Sequence, residues 1–235
     1  VIAGEIGSGK TTLIRHLLDQ LESDVTVGLI SNTHSSFGEL LEWVLLAFGI
    51  PHQGLDKVAR HHRFTEFLIS EYSKRRRTVL IIDEAQNLAP ETLEELRMLS
   101  NINADKSLVL QLVLVGQPEL RMLLRRPGLE QFAQRVSVAY YLEALSLEET
   151  VAYVRRRLKV AGGNPRLFDS DALEWVHRAS RGVPRVVNTI CDMALVYAYA
   201  SGQTQVDRAT VEEVVRDRVA TGLFTAPQDE EREPV

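Results

Sequence analysis

The string Gly4-Glu5-Ile6-Gly7-Ser8-Gly9-Lys10-Thr11 constrains this chain more than any other feature. It satisfies G-x-x-x-x-G-K-[ST] at every fixed position and lies between a β-rich run, Val1–Ala3, and a helical one, Thr11–Glu22. Glycines at these places let the backbone bend so that successive N–H groups turn inward, forming an anion nest at a helix N-terminus. Lys10 then reaches the β- and γ-phosphates of a nucleotide, and the Thr11 hydroxyl can ligate Mg²⁺. A chance match of the four fixed positions in a chain of this size has odds of roughly one in a hundred at ordinary glycine usage. Gly4, Glu5, Ile6, Gly7, Ser8, Gly9, Lys10, Thr11 and Thr12 are therefore the expected nucleotide-binding residues.

A second element completes the first. Val79-Leu80-Ile81-Ile82-Asp83-Glu84 reads as a buried strand that delivers two carboxylates at its C-terminal edge, where α/β sheets bind ligands. Asp83 is expected to hold Mg²⁺, with Thr11, and Glu84 to orient and polarise the attacking water. A strand ending in an acidic turn is common when it stands alone, but not beside a complete phosphate loop. Two adjacent acids also argue against a kinase, where the acceptor brings the nucleophile.

Short β-rich runs alternate with helical periodicity through the first ~140 residues, the pattern of a parallel sheet with crossover helices. The expected strands are Val1–Ala3, Val25–Ser31, Thr78–Ile82, Leu108–Val115 and Val136–Tyr141; the expected helices are Thr11–Glu22, Ser36–Phe48, Leu55–Lys74 and Pro90–Asn101. After Leu145 only helical segments follow. Ser146-Leu147-Glu148-Glu149 is a capping box opening a helix to Ala161, where Gly162-Gly163 ends it. Asp169 caps a helix to Ser180, Pro184 opens one to Ser201, and Asp207 caps the last to Arg218. The final ten residues hold four acidic residues, two prolines and no aromatic, as in a disordered tail. The expected organisation is an α/β core over residues 1–144, a helical lid over 145–218 and an acidic tail over 219–235.

With Asp83 and Glu84 come further strings that resemble a known family. Asp83-Glu84-Ala85-Gln86-Asn87-Leu88, Leu93-Glu94-Glu95-Leu96-Arg97-Met98-Leu99-Ser100-Asn101 and Val115-Gly116-Gln117-Pro118-Glu119-Leu120 are similar to the ExeA/GspA family of AAA+ ATPases. The similarity continues through Gln134-Arg135-Val136 and Gly182-Val183-Pro184-Arg185 to Cys191-Asp192. The TnsC/TniB transposition ATPases look similar over the same stretch, less closely. The resemblance implies a P-loop NTPase fold of the AAA+ kind, with a three-layer parallel-sheet core and an all-helical lid. It implies ATP and Mg²⁺ as ligands, and Lys10 and Glu84 as catalytic residues. Gln117 then stands where such proteins place a polar sensor of the γ-phosphate, although Asn or Thr is commoner there. Arg135 stands where they place the finger that acts on a neighbouring subunit, with Arg125 and Arg126 as competitors. Arg185 resembles the second sensor, as in RuvB-type helicases, and belongs with the nucleotide-binding set.

By the same resemblance, the chain is a homo-oligomeric ATPase whose hydrolysis drives assembly or switching of a type II secretion or pilus apparatus. Its partners would be secretion or pilus assembly proteins, and its place cytoplasmic, at the inner-membrane face through regions outside this sequence. Val1-Ile2-Ala3 reads as the tail of a strand whose beginning is missing, so the sequence is expected to be a piece of a longer protein. The alternative function is a DNA-binding transposition-type regulator. A net charge of −5 gives no global case for DNA, but Lys74-Arg75-Arg76-Arg77 with Lys57, Arg60, His61, His62 and Arg63 leaves a local one. At a helix C-terminus the same run complements the macrodipole, which is the plainer reading.

Other signals exclude more than they suggest. The single cysteine, Cys191, rules out an internal disulfide framework and a cysteine zinc cluster. No apolar run approaches the ~18 residues of a membrane-spanning helix. His61 and His62 are neighbours in a helical run and share no face for a metal. Trp43, Phe48, Phe64, Phe67 and Leu68 have core spacing, and Met98, Met122 and Met193 read as core filler.

Overall fold

The computed structural model describes residues 1–31, 39–104 and 107–222, the side chain of Ala104 excepted. The acidic end from residue 223 and the start of the helix expected at Ser36 lie outside the described residues. The chain divides into two compact units, Val1–Ile6 with Lys10–Leu142, and Gly7–Gly9 with the residues from Glu143 onward.

The first unit runs β1 (Ile2–Gly4), α1 (Lys10–Gln20), β2 (Val25–Ile30), α2 (Leu40–Ala47), α3 (Lys57–Ser73) and β3 (Arg77–Ile82). After a 3₁₀ turn at Ala85–Asn87 come α4 (Pro90–Leu99), the short β4 (Asn103–Ala104) and β5 (Ser107–Leu108), and β6 (Leu110–Gly116). Two helices not anticipated from the sequence, α5 (Glu119–Leu123) and α6 (Glu130–Ala133), precede β7 (Tyr140–Leu142). Five strands pair in the order β2-β3-β6-β1-β7, every pair parallel. This is the expected P-loop α/β architecture.

Side-chain alternation sorts the sheet into two buried faces. Ile30, Leu80, Ile82, Leu110 and Leu114 point to one face, where they share a core with Leu41, Val44, Phe64, Leu68, Leu93 and Phe132 of the helices from α2 to α6. Ile81 and Val115 point to the other and pack with Ile14 of α1. Burial on both faces is why β3 and β6 read as near-continuous apolar runs.

Two strands differ from expectation. Leu108 belongs to a separate antiparallel hairpin, paired with Asn103, and the sheet strand starts at Leu110. Leu108 is exposed while Val109 and Leu110 are buried, so the apolar run spans a hairpin edge and a core strand. The last strand covers Tyr140–Leu142, not Val136–Tyr141. It is an edge strand beside β1, and Val1 continues that register, its amine donating to the Val138 carbonyl at 2.8 Å and its carbonyl accepting from the Tyr140 amide at 2.9 Å. The methionines also differ. Met98 and Met122 are exposed, because the buried stripes of α4 and α5 are Leu93-Leu96-Leu99 and Leu120-Leu123.

The basic run after α3 has a structural task. Glu71, 4% exposed, accepts from Thr26 Oγ1 at 2.5 Å and from Lys74 Nζ at 2.8 Å, and Arg76 lies 3.6 Å away. The Lys74 and Thr26 hydrogen bonds hold its carboxyl below the ordinary range despite burial. Lys74 and Arg76 thus pin the turn from α3 into β3 at the N-terminal edge of the parallel sheet.

The second unit is helical: α7 (Leu147–Val160), α8 (Ser170–Ser180), α9 (Pro184–Ala200) and α10 (Arg208–Ala220). Ser146 forms the expected capping box with Glu149, and Asp169 and Asp207 accept from the amides of Ala172 and Thr210. Val154, Leu173, Val176, Ile190, Ala194, Val211 and Val214 fill its own core. Met193 on α9 lies outside that stripe and is partly exposed.

Candidate functional site

The loop from β1 to α1 is built around its glycines. Gly7 and Gly9 take φ of +84° and +102°, which side chains disfavour, and such turns form backbone anion nests. Glu5 and Ile6 are exposed at its tip, while Ser8 is buried with a hydroxyl that has no hydrogen-bond partner among the described residues. A buried orphan hydroxyl inside a phosphate-loop motif fits a ligand that brings acceptor oxygens. Lys10, 7% exposed, donates from Nζ to the carbonyls of Gly4 at 2.8 Å and Glu5 at 2.9 Å. Its ammonium is thereby held over the loop from which a phosphate would draw it.

Thr11 and Thr12 follow in the first turn of α1, both exposed. The Thr11 hydroxyl donates to Asp83 Oδ2 at 3.4 Å, although the two residues are 72 positions apart. The other Asp83 oxygen, Oδ1, accepts from the Glu84 amide at 2.9 Å. Burial pushes the Asp83 carboxyl above its ordinary range, against that amide bond, which pulls it down. Two hard oxygen donors converging beside a lysine suit a small divalent cation such as Mg²⁺.

Glu84 has a left-handed backbone, φ 54° and ψ 34°, rare for a residue with a side chain. Its Oε2 accepts from Gln86 Nε2 at 2.6 Å and from Gln117 Nε2 at 3.3 Å. Gln117 therefore meets the second carboxylate of the pair directly. Gln86 escaped sequence reasoning, because no motif position marks it. Its place in the string Asp83-Glu84-Ala85-Gln86-Asn87-Leu88, which carries the resemblance, could have drawn notice.

Arg135 is exposed in the turn after α6, and its charge helps hold the Glu94 carboxyl low, after the Arg97 hydrogen bond. Arg125 and Arg126 are exposed in the turn after α5. Arg185 is the second residue of α9, exposed, and its amide donates to the Gly7 carbonyl at 3.2 Å within the second unit. No cluster of three or more metal-ligating side chains occurs among the described residues, His61 and His62 included.

Comparison with known proteins gives three findings. A family model described as an AAA domain matches residues 1–124. General secretion pathway protein A of Aeromonas hydrophila is 40% identical over 212 residues, which is 88% of this chain and 38% of that protein. The chain thus spans well under half the length of that relative. Among solved structures, the Aeropyrum pernix ORC2 protein (ADPNP-ADP complexes) matches with a TM-score of 0.66 at 18% identity, covering 93% of this chain and 61% of that one. Cdc6p from Pyrobaculum aerophilum matches at 0.69 and 18%, covering 92% and 59%. The Thermotoga maritima RuvB Holliday junction branch migration motor matches at 0.53 and 17%, covering 92% and 60%. At such identities these structures establish the fold alone.

Proposed function

Because the chain belongs to the AAA domain family, we propose that it binds ATP with Mg²⁺ and hydrolyses it to drive assembly or conformational switching of a secretion or pilus apparatus. The observation that carries this reading is the convergence of Thr11 on Asp83, with Lys10 on one side and Glu84 on the other. Loop amides and Lys10 bind and orient the phosphates, the Ser8 hydroxyl adds a donor, and Thr11 and Asp83 hold the metal. Mg²⁺ supplies neutralisation of the charge that develops on the phosphoryl oxygens. Glu84 orients a water for attack in line with the leaving group and withdraws its proton. Gln117, in reach of the same carboxylate, reads the state of the γ-phosphate. Arg135 acts as the finger on a neighbouring subunit, and Arg185 as a second sensor.

The secretion assignment draws on the identity to general secretion pathway protein A, whose name places that protein in the pathway. We place the work in the cytoplasm, where ATP is supplied, at the inner-membrane face; no described helix is long and apolar enough to cross a membrane. For the DNA alternative, Lys74 and Arg76 are engaged with buried Glu71, while all four residues of the basic run stay exposed.

The test is light scattering after size exclusion, with Glu84→Gln used to trap ATP-Mg and duplex DNA added in a parallel run. Oligomers that form with ATP regardless of DNA are expected. A monomer under every condition would sink the assembly reading, and oligomers formed only on DNA would favour the regulator. In a phosphate-release assay, Glu84→Gln at the parent rate would remove the hydrolytic role of Glu84.

A further inference from the structure

Gln86 makes two hydrogen bonds that fix both ends of its amide. The NH₂ end donates to Glu84 Oε2 at 2.6 Å, and the carbonyl end accepts from the backbone amide of Gln117 at 3.0 Å. Rotating the NH₂ group away from Glu84 would break the second bond as well. The side chain lies so close to β6 that a Cβ on Gly116 would stand 2.6 Å from Gln86 Oε1 and 3.3 Å from the Gln86 amide nitrogen. The left-handed turn at Glu84 brings a residue only two positions ahead back onto its carboxylate. A strained backbone of this kind costs about 1–3 kcal/mol and persists where surrounding contacts over-determine it. Here the contacts include the hydrogen bond from the Glu84 amide to Asp83 Oδ1, the Gln86 bridge and the Gln117 side chain.

We propose that Gln86 is the positioning residue for Glu84: it sets the carboxylate of the water-activating base relative to the end of β6, and so to Gln117. This rests on the reading of Glu84 as that base. Gln86 touches no reacting atom and acts through the orientation of another side chain. Misplacement of a reacting group by about 1 Å costs on the order of a hundredfold. Nucleotide affinity rests chiefly on the phosphate loop, so the bridge bears on kcat more than on affinity.

Two variants separate the bonds. Gln86→Glu keeps the size and the acceptor for the Gln117 amide but replaces the donor to Glu84 with a repelling carboxylate. Gln86→Ala removes both bonds. Steady-state ATP turnover by the intact chain, binding of a fluorescent ATP analogue and the melting temperature are measured for each, with Glu84→Gln alongside. The expected result is a fall in kcat of about ten- to a hundredfold for both variants, with KM and nucleotide affinity within about twofold of the parent. Parent-like kcat in Gln86→Glu beside an inactive Glu84→Gln would overturn the inference. So would parallel losses of kcat, affinity and melting temperature, which would make Gln86 a folding residue only. If Glu84→Gln turned over ATP at the parent rate, the failure would belong to the base assignment instead.

Discussion

The Leu145 amide donates to the Gly182 carbonyl across 2.9 Å, and the two backbones meet so closely that a Cβ at 182 would stand 2.0 Å from the Leu145 carbonyl oxygen. Gly182 also has φ +70°, where a side chain is strained. Backbone atoms cannot rotate out of the way. Gly182→Ala is therefore expected to destabilise the helical unit by about 3 kcal/mol or more. Denaturant unfolding measures this, and a loss below about 0.5 kcal/mol would show that the α8–α9 turn is loose.

On the proposed reading, Lys10 gives up its bonds to the Gly4 and Glu5 carbonyls for phosphate oxygens when nucleotide binds. Lys10→Ala should weaken ATP binding by about ten- to a hundredfold, the worth of charged hydrogen bonds. Titration of a fluorescent ATP analogue reads the change. Undiminished affinity would mean that the loop amides alone hold the phosphates.

Glu71 makes the fold sensitive to acid. Its folded carboxyl titrates below the unfolded value of about 4.3, so its contribution is complete above that pH and is lost as pH falls through the folded value. Glu71→Gln removes this pH-dependent part. The variant should melt about 3–6 °C below the parent at pH 7, with the gap closing as pH falls below about 4. A gap independent of pH would show that the carboxyl titrates alike in the folded and unfolded chain.

Cys191 offers a probe of the helical unit. Burial pushes its thiol up to about 12, with Asp192 adding to the effect, so almost no reactive thiolate exists at pH 8. Iodoacetamide should leave the native chain unlabelled for hours and modify it as denaturant opens the core around Ile190 and Ala194. Complete labelling within minutes under native conditions would show that this core opens readily.

What could be read from the sequence follows the range of the forces involved. The turn from Gly4 to Thr11 and the caps at Ser146, Asp169 and Asp207 are set by neighbours within a few positions, so their residues announce them. Near-continuous apolar runs likewise marked β3 and β6 as strands buried on both faces. Leu108 looks like core because a hairpin edge and a buried strand adjoin in one apolar run. Gln86 was silent for a similar reason: its partner is a backbone amide 31 positions away, reached only once β3 and β6 are paired.

The strand order has one more consequence. β6 lies between β1 and β3, so its C-terminal end sits between the strand that leads into the phosphate loop and the strand that presents the two acids. Its register with β3 from Thr78 to Ile82 fixes where Gln117 emerges. Deleting or inserting a single residue within β6 would reverse the facing of every side chain beyond it. Over evolutionary time this stretch is expected to vary in residue type but not in length, and gains or losses of residues to collect upstream, where the β4–β5 hairpin can absorb them.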